Sequence, residues 1–124
     1  MDLDAYGHVN NAEYFSYFDS AVNSYLIQEA GLQPSTDPIV AYVIRNECTF
    51  KQQIRFPESL EIGIRVQRLG GTSVAYEIAI FKDGVEEPAA EGVFVNVYVD
   101  RATSKPVPIP ERHRAALQRL CPSE

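Results

Sequence analysis

The first regular pattern along the chain is that of an amphipathic helix. Apolar side chains recur at helical spacing, with polar side chains on the opposite face. The apolar positions are Tyr14, Phe15, Phe18, Ala21, Val22, Tyr25 and Leu26. Asn10 is a preferred N-cap residue, and Glu13 follows it at the spacing of a capping box. Gly31 favours a left-handed C-cap, and Leu32 is placed for the accompanying apolar contact. The pattern therefore predicts a long helix between these two caps.

Four segments with the alternation of strands follow the helix. They are residues 39–51, 60–67, 73–80 and about 89–100. In the first strand, the apolar residues fall at even-numbered positions, which lie on one side of a regular strand. They are Val40, Tyr42, Ile44, Cys48 and Phe50. In the last strand, the valine row Val93, Val95, Val97 and Val99 faces opposite to Phe94, Asn96 and Tyr98. Gly70-Gly71 and Asp83-Gly84 predict tight turns, and residues 111–120 predict a short closing helix.

The order of these elements predicts an α+β fold. Strands joined mainly by hairpins form an antiparallel sheet, and a sheet with one apolar face needs a cover. The long helix is the only predicted element large enough to cover it. We therefore predict a long central helix wrapped by a curved antiparallel β-sheet, as a single domain over residues 1–124. The sheet edges and the valine row favour association, with a dimer as the minimum unit.

Composition narrows the function classes. The net charge of −6 argues against nucleic acid as a partner. No apolar run approaches the ~18 residues of a membrane span. The amino terminus also lacks the basic segment followed by an apolar segment that is typical of a signal peptide. We therefore expect a cytoplasmic protein without a membrane partner. Two cysteines, Cys48 and Cys121, do not make a disulfide framework in a reducing compartment, and we interpret both as ordinary thiols.

The candidate chemistry lies directly ahead of the long helix. Asp4 would sit near the positive end of the helix, where a developing negative charge is stabilised. The alternative for Asp4 is a turn or capping carboxylate. His8 could orient a substrate, act as a base or only shape the loop. A metal site with Asp2 and Asp4 is not expected, because the other histidine, His113, falls in the distant closing helix.

The segment Asp2-Leu3-Asp4-Ala5-Tyr6-Gly7-His8-Val9-Asn10-Asn11-Ala12-Glu13-Tyr14 resembles the signature of the 4-hydroxybenzoyl-CoA thioesterase family of hotdog-fold proteins. The resemblance continues through Asn46-Glu47-Cys48-Thr49-Phe50, Leu69-Gly70-Gly71-Thr72-Ser73 and Val97-Tyr98-Val99-Asp100. It implies hydrolysis of an acyl-CoA to a free acid and CoA, with no metal or other cofactor. The catalytic acid, as nucleophile or general base, maps onto Asp4. The backbone N–H that polarises the thioester oxygen maps onto Asn11.

The rest of the site and its assembly follow in part from the resemblance. Around the mapped residues, our own candidates for substrate contacts are Tyr6, Gly7, His8, Asn10 and Tyr14, with a capping role as the alternative for Asn10 and a core position as the alternative for Tyr14. The family dimerises with sheets joined edge to edge, often in tetramers, and CoA runs along the subunit interface. The basic residues expected to be nearest its phosphates are Arg45, Lys51, Arg55, Arg65 and Arg68.

The sequence departs from the family at its beginning. Family members usually carry a strand before the paired acids, whereas here Met1 immediately precedes Asp2. We therefore predict a hotdog fold whose first strand is absent or truncated. Two alternatives to a thioesterase stay open, namely a non-catalytic acyl-CoA-binding hotdog protein and a hotdog dehydratase. Because His8 shares a loop with Asp4, the dehydratase is disfavoured.

Overall fold

The computed structural model describes residues 11–51 and 60–122, and in these ranges it contains two helices and four strands. The helices are α1 (Asn11–Ala30) and α2 (Glu111–Gln118). The strands are β1 (Ile39–Phe50), β2 (Leu60–Leu69), β3 (Ser73–Lys82) and β4 (Ala90–Asp100). These bounds confirm the predicted helices and strands to within a few residues. No helix in the described ranges is long and apolar enough to cross a membrane.

The four strands form one antiparallel sheet in the order β1-β4-β3-β2. The predicted hairpins between β2 and β3 and between β3 and β4 are confirmed. The strands are joined mainly by hairpins, as predicted, and β1 is the exception, because it pairs with β4 at the far side of the sheet. The segment after β1 lacks a tight-turn pair such as Gly70-Gly71. The 12 residues of β1 instead match the 11 residues of β4 in length.

A β-bulge changes which side chains of β1 share a face. The register shifts between Val43 and Arg45, so one extra residue enters β1 at this point. Val43 packs against the core before the bulge and Cys48 does so after it. Tyr42 and Ile44 are 43% and 61% exposed. The prediction that the even-numbered apolar residues of β1 share one face is therefore wrong across the bulge.

The core lies between α1 and one face of the sheet. Its fully buried large side chains include Phe18 and Val22 of α1, Tyr76, Ile78 and Ile80 of β3, and Phe94 and Tyr98 of β4. The predicted apolar face of α1 is confirmed from Phe18 onward, as is the inward face of β4. The arrangement is the predicted helix covering an antiparallel sheet.

The carboxyl end of α1 has the C-cap that its sequence predicts. Gly31 has a φ of +70°, and the backbone N–H of Leu32 donates to the carbonyl oxygen of Leu26 at 3.2 Å. Leu32 also packs against the core. A positive φ is easily reached only by glycine, so Gly31 determines where the helix ends.

Helix α2 packs beside this end of α1. Its His113, Ala116 and Leu117 are buried. The Tyr25 hydroxyl donates to the carbonyl oxygen of Ala116 at 2.6 Å, and the Tyr98 hydroxyl lies 2.8 Å from Nδ1 of His113. The closing helix is thus tied to both α1 and the sheet.

Candidate functional site

The predicted site divides between described and undescribed residues. Asp4, Tyr6, Gly7, His8 and Asn10 lie outside the described residues. Asn11 and Tyr14 both belong to the first turn of α1 in the described chain. The structure therefore characterises the helix end against which the predicted chemistry would take place.

An aromatic contact anchors the amino-terminal half of α1. Phe18 lies about two turns after Asn11 and is fully buried. Its ring meets that of Phe94 edge to face, with the ring centroids 6.4 Å apart and the planes at 85°. Such an aromatic pair contributes about 0.5–1.5 kcal/mol beyond the area it buries. The contact fixes where the beginning of α1 lies over β4.

Gly92, which the sequence patterns did not single out, makes this close approach possible. A Cβ atom at Gly92 would lie 2.7 Å from Cε2 of Phe18 and would overlap the carbonyl oxygen of Glu47 on β1. Glycine inside a strand often marks a point where another group comes close to the backbone. Its position within the valine-rich β4 was the signal available in the sequence.

The beginning of α1 carries a favourable field for an anion. The first N–H groups of a helix have no acceptor within the helix, and the aligned peptide dipoles place about half a positive charge there. No basic residue lies in the last turn of α1. A thioester oxygen that gains negative charge would be stabilised at such an end.

The buried titratable side chains with shifted pKa values belong to β1, β3, β4 and α2 rather than to the beginning of α1, and their pKa values suit structural roles. Burial lowers the pKa of His113 and raises the pKa of Tyr98 and of Tyr76. Burial also raises the pKa of the Cys48 thiol to about 11, so at neutral pH it is protonated and a poor nucleophile. Within the described ranges no group of three or more His, Cys, Asp and Glu side chains could hold a metal ion. Asp4 and His8 lie outside those ranges, so the expectation of no metal stays a prediction.

The predicted phosphate-binding basic residues are mostly engaged within the chain. Arg45 pairs with Glu47 at 2.8 Å, Lys51 with Glu91 at 3.1 Å, and Arg65 with Glu77 at 2.5 Å. Arg55 lies outside the described residues. Arg68 is exposed. Exposed pairs of this kind exchange partners at little cost, so they do not exclude phosphate contacts.

Comparison with known proteins identifies this architecture. The crystal structure of the PA5185 protein from Pseudomonas aeruginosa strain PAO1 is similar with a TM-score of 0.95 and 45% identity, and the match covers 98% of this chain and 85% of that one. Slr0204 of Synechocystis, a 1,4-dihydroxy-2-naphthoyl-CoA thioesterase, has the same fold at a TM-score of 0.84 and 16% identity, with 96% and 89% of the two chains covered. Uncharacterized protein YsmA of Bacillus subtilis (strain 168) is 25% identical over 107 residues, which are 86% of this chain and 71% of YsmA.

The helix packed on an antiparallel sheet in this strand order is the architecture of a hotdog fold. The sequence pattern of the Thioesterase-like superfamily matches residues 1–117, and the chain belongs to that family. The match includes the segment before α1, so it extends over the loop in which the candidate chemistry was predicted.

Proposed function

We propose that this protein is an acyl-CoA thioesterase that hydrolyses an acyl- or aryl-CoA thioester to the free acid and CoA. The observation that carries the proposal is the family match over residues 1–117. The anchored beginning of α1 supports it, because Phe18 and Gly92 hold the positive helix end in one position over the sheet. Asp4 is the proposed catalytic residue. The backbone N–H of Asn11 is the proposed donor to the thioester oxygen, and Tyr6, Gly7, His8, Asn10 and Tyr14 are the proposed substrate contacts.

The reaction can proceed by two routes at Asp4. As a general base, its carboxylate takes a proton from water while the water oxygen attacks the thioester carbon. As a nucleophile, the carboxylate attacks that carbon itself, and water then hydrolyses the mixed anhydride. In both routes the carbonyl oxygen becomes an oxyanion at the helix end, and the C–S bond breaks as the CoA thiolate leaves and takes up a proton. Acid–base assistance contributes about 10²–10⁴ in rate, and one oxyanion donor about 10²–10³.

We propose that the single domain of residues 1–124 forms at least a homodimer, with sheets joined at their β1 edges. The two edges of the sheet differ in a way that supports this choice. On β2, the backbone N–H of Val66 donates to the carbonyl oxygen of Leu120 at 2.9 Å, so the segment after α2 occupies part of that edge. On β1, Tyr42 and Ile44 stay exposed. An exposed edge strand with apolar side chains favours pairing with another chain.

The proposal is tested by thiol release from a panel of short-chain, medium-chain and aryl acyl-CoA substrates, followed with a thiol reagent. The wild type is compared with Asp4→Asn and with Asp83→Asn, a matched change in the exposed turn after β3. We expect release by the wild type and by Asp83→Asn, and a turnover at least ~10²-fold lower in Asp4→Asn. The melting temperature of all three proteins is expected to agree, because Asn preserves the size of the side chain.

Two results would contradict the proposal. If CoA esters bind but no thiol is released from any of them, the protein is a non-catalytic acyl-CoA-binding member of the family. If an enoyl product forms without thiol release, it is a dehydratase. Unfolding of Asp4→Asn together with loss of activity would assign Asp4 a structural role.

A further inference from the structure

The side of the sheet that faces away from α1, here called the outer face, has a depression beside the β2–β3 hairpin. Its volume is about 500 Å³. Its floor consists of small or apolar residues, namely Ile44 of β1, Ala75 of β3, and Val93 and Val95 of β4. Ala75 and Val95 alternate with the buried residues of their strands, which places both on the outer face. The depression therefore offers an apolar surface on the side opposite α1.

Two arginines stand at opposite ends of this floor. The pairing between strands places Arg68, Ala75, Val95 and Arg45 in one row across the four strands. The Cα atoms at the two ends of such a row are roughly 14 Å apart, since neighbouring strands are ~4.8 Å apart. The row thus has a positively charged side chain at each end and two apolar side chains between them.

The polar side chains that line the depression can all donate hydrogen bonds to an anion. They are Arg45, Gln67, Arg68 and Ser73. Arg45 is neutralised by Glu47, to which its Nε and Nη2 donate at 3.0 and 2.8 Å. Within residues 11–51 and 60–122, Arg68 makes no ion pair. One positive charge of the depression is therefore uncompensated, in a chain whose net charge is −6.

We infer that this depression is a binding site for an organic monoanion with an apolar body, of the class of medium-chain carboxylates. The planar guanidinium of Arg68 matches a single carboxylate and can donate to both of its oxygens. The Gln67 amide and the Ser73 hydroxyl supply further donors. The apolar body lies over Ala75 and Val95, where burial of its CH₂ groups adds affinity. An inorganic anion would leave this floor unused, and a cation would be repelled by Arg68.

The site is separate from the helix end at which the reaction is proposed, because α1 covers the opposite face of the sheet. It also stays open in the homodimer proposed above. Strands paired at their β1 edges continue one sheet and leave its outer face uncovered. Binding at this depression therefore does not depend on the reaction.

The test is a titration of the protein with octanoate, followed by calorimetry and by the NMR resonances of the Ala75 and Val95 methyl groups. Hexanoate shortens the apolar body, octylammonium reverses the charge, and inorganic phosphate removes the body. Arg68→Gln removes the uncompensated charge, and it should fold because Arg68 is exposed. Arg119→Gln is the matched control, since Arg119 pairs with Glu29 of α1 at 3.3 Å, away from the outer face.

We expect octanoate to shift both methyl resonances in the wild type and in Arg119→Gln, and to bind Arg68→Gln at least about 10-fold more weakly. Hexanoate lacks two CH₂ groups and should bind the wild type at least about fourfold more weakly than octanoate, since burial of one CH₂ contributes about that factor. Octylammonium and phosphate should leave both methyl resonances unshifted at the concentration at which octanoate saturates them.

Four results would overturn the inference. The first is that octanoate does not shift the two methyl resonances of the wild type. The second is that Arg68→Gln binds octanoate as tightly as the wild type, or that Arg119→Gln is weakened equally. The third is that hexanoate binds as tightly as octanoate, which would mean that the apolar floor takes no part. The fourth is that octylammonium or phosphate shifts the same resonances.

Discussion

The two halves of α1 are held to the protein in different ways. The carboxyl-terminal half packs Val22, Leu26 and Ala30 into the core and adds the bond from the Tyr25 hydroxyl to α2 at 2.6 Å, and the chain turns at Gly31. The amino-terminal half is fixed by Phe18 packed over Gly92. The amino-terminal half carries the first N–H groups of α1, which have no acceptor within the helix. Substitutions near the two ends should therefore separate stability from turnover.

The largest effect on stability is expected for Gly92→Ala. The added Cβ would lie 2.7 Å from the Phe18 ring and would overlap the Glu47 carbonyl oxygen, so α1 or β1 must move. Overpacking of this kind costs about 3 kcal/mol in the free energy of unfolding. Because the displaced part of α1 carries the proposed oxyanion site, turnover should fall as well, by ~10-fold or more.

Denaturant unfolding and thiol release on the same preparations measure both effects of Gly92→Ala. Gly71→Ala is the matched control, since a Cβ there meets no atom within 4 Å. If Gly92→Ala keeps wild-type stability and turnover, the Phe18 contact does not position the amino-terminal half of α1.

A smaller effect, confined to stability, is expected for Tyr98→Phe. The change removes the hydroxyl 2.8 Å from Nδ1 of His113 and leaves that buried nitrogen without its partner. The expected loss is about 1–2 kcal/mol in the free energy of unfolding, with turnover unchanged. Tyr76→Phe is the control, because the buried Tyr76 hydroxyl has no hydrogen-bond partner in the described chain and its removal should be neutral or stabilising. Equal losses in both variants would show that the hydrogen bond between Tyr98 and His113 is not the cause of the loss.

The smallest effect is a loss of stability in mild acid through His113. Burial is the main cause of its lowered pKa, the Arg112 charge also lowers it, and Asp37 acts in the opposite direction. A group whose folded pKa lies below its unfolded value of 6.5 binds more protons in the unfolded chain. The free energy of unfolding should therefore decrease as the pH falls below about 6.5 and on towards the folded pKa.

Denaturant unfolding at neutral pH and in mild acid, for wild type and His113→Gln, measures this contribution. The pH-dependent loss should be smaller in His113→Gln and unchanged in His8→Gln. A loss that disappears only in His8→Gln would locate the titrating group in the loop before α1.

Local patterns predicted most of the fold, and non-local features account for the errors. The alternation of apolar and polar residues in β3 was enough to predict which side chains are buried, because every second residue from Val74 to Ile80 packs into the same core. The pairing of β1 with β4 and the bulge at Val43–Arg45 depend on a partner strand distant in sequence, so alternation within β1 could not reveal them. The hydrogen bond between Tyr98 and His113 is equally non-local. For the site, the helix end could be predicted from Asn10 and Glu13.

The central claim is that Asp4 beside the anchored helix end cleaves a thioester, and single-turnover thiol release tests it most directly. The best acyl-CoA of the panel is mixed with excess wild type, Asp4→Asn or Asp83→Asn, so that product release does not limit the signal. We expect a rate for Asp4→Asn at least ~10²-fold below that of the other two proteins at equal binding of the substrate. Equal rates in all three proteins would show that Asp4 takes no part in the chemistry.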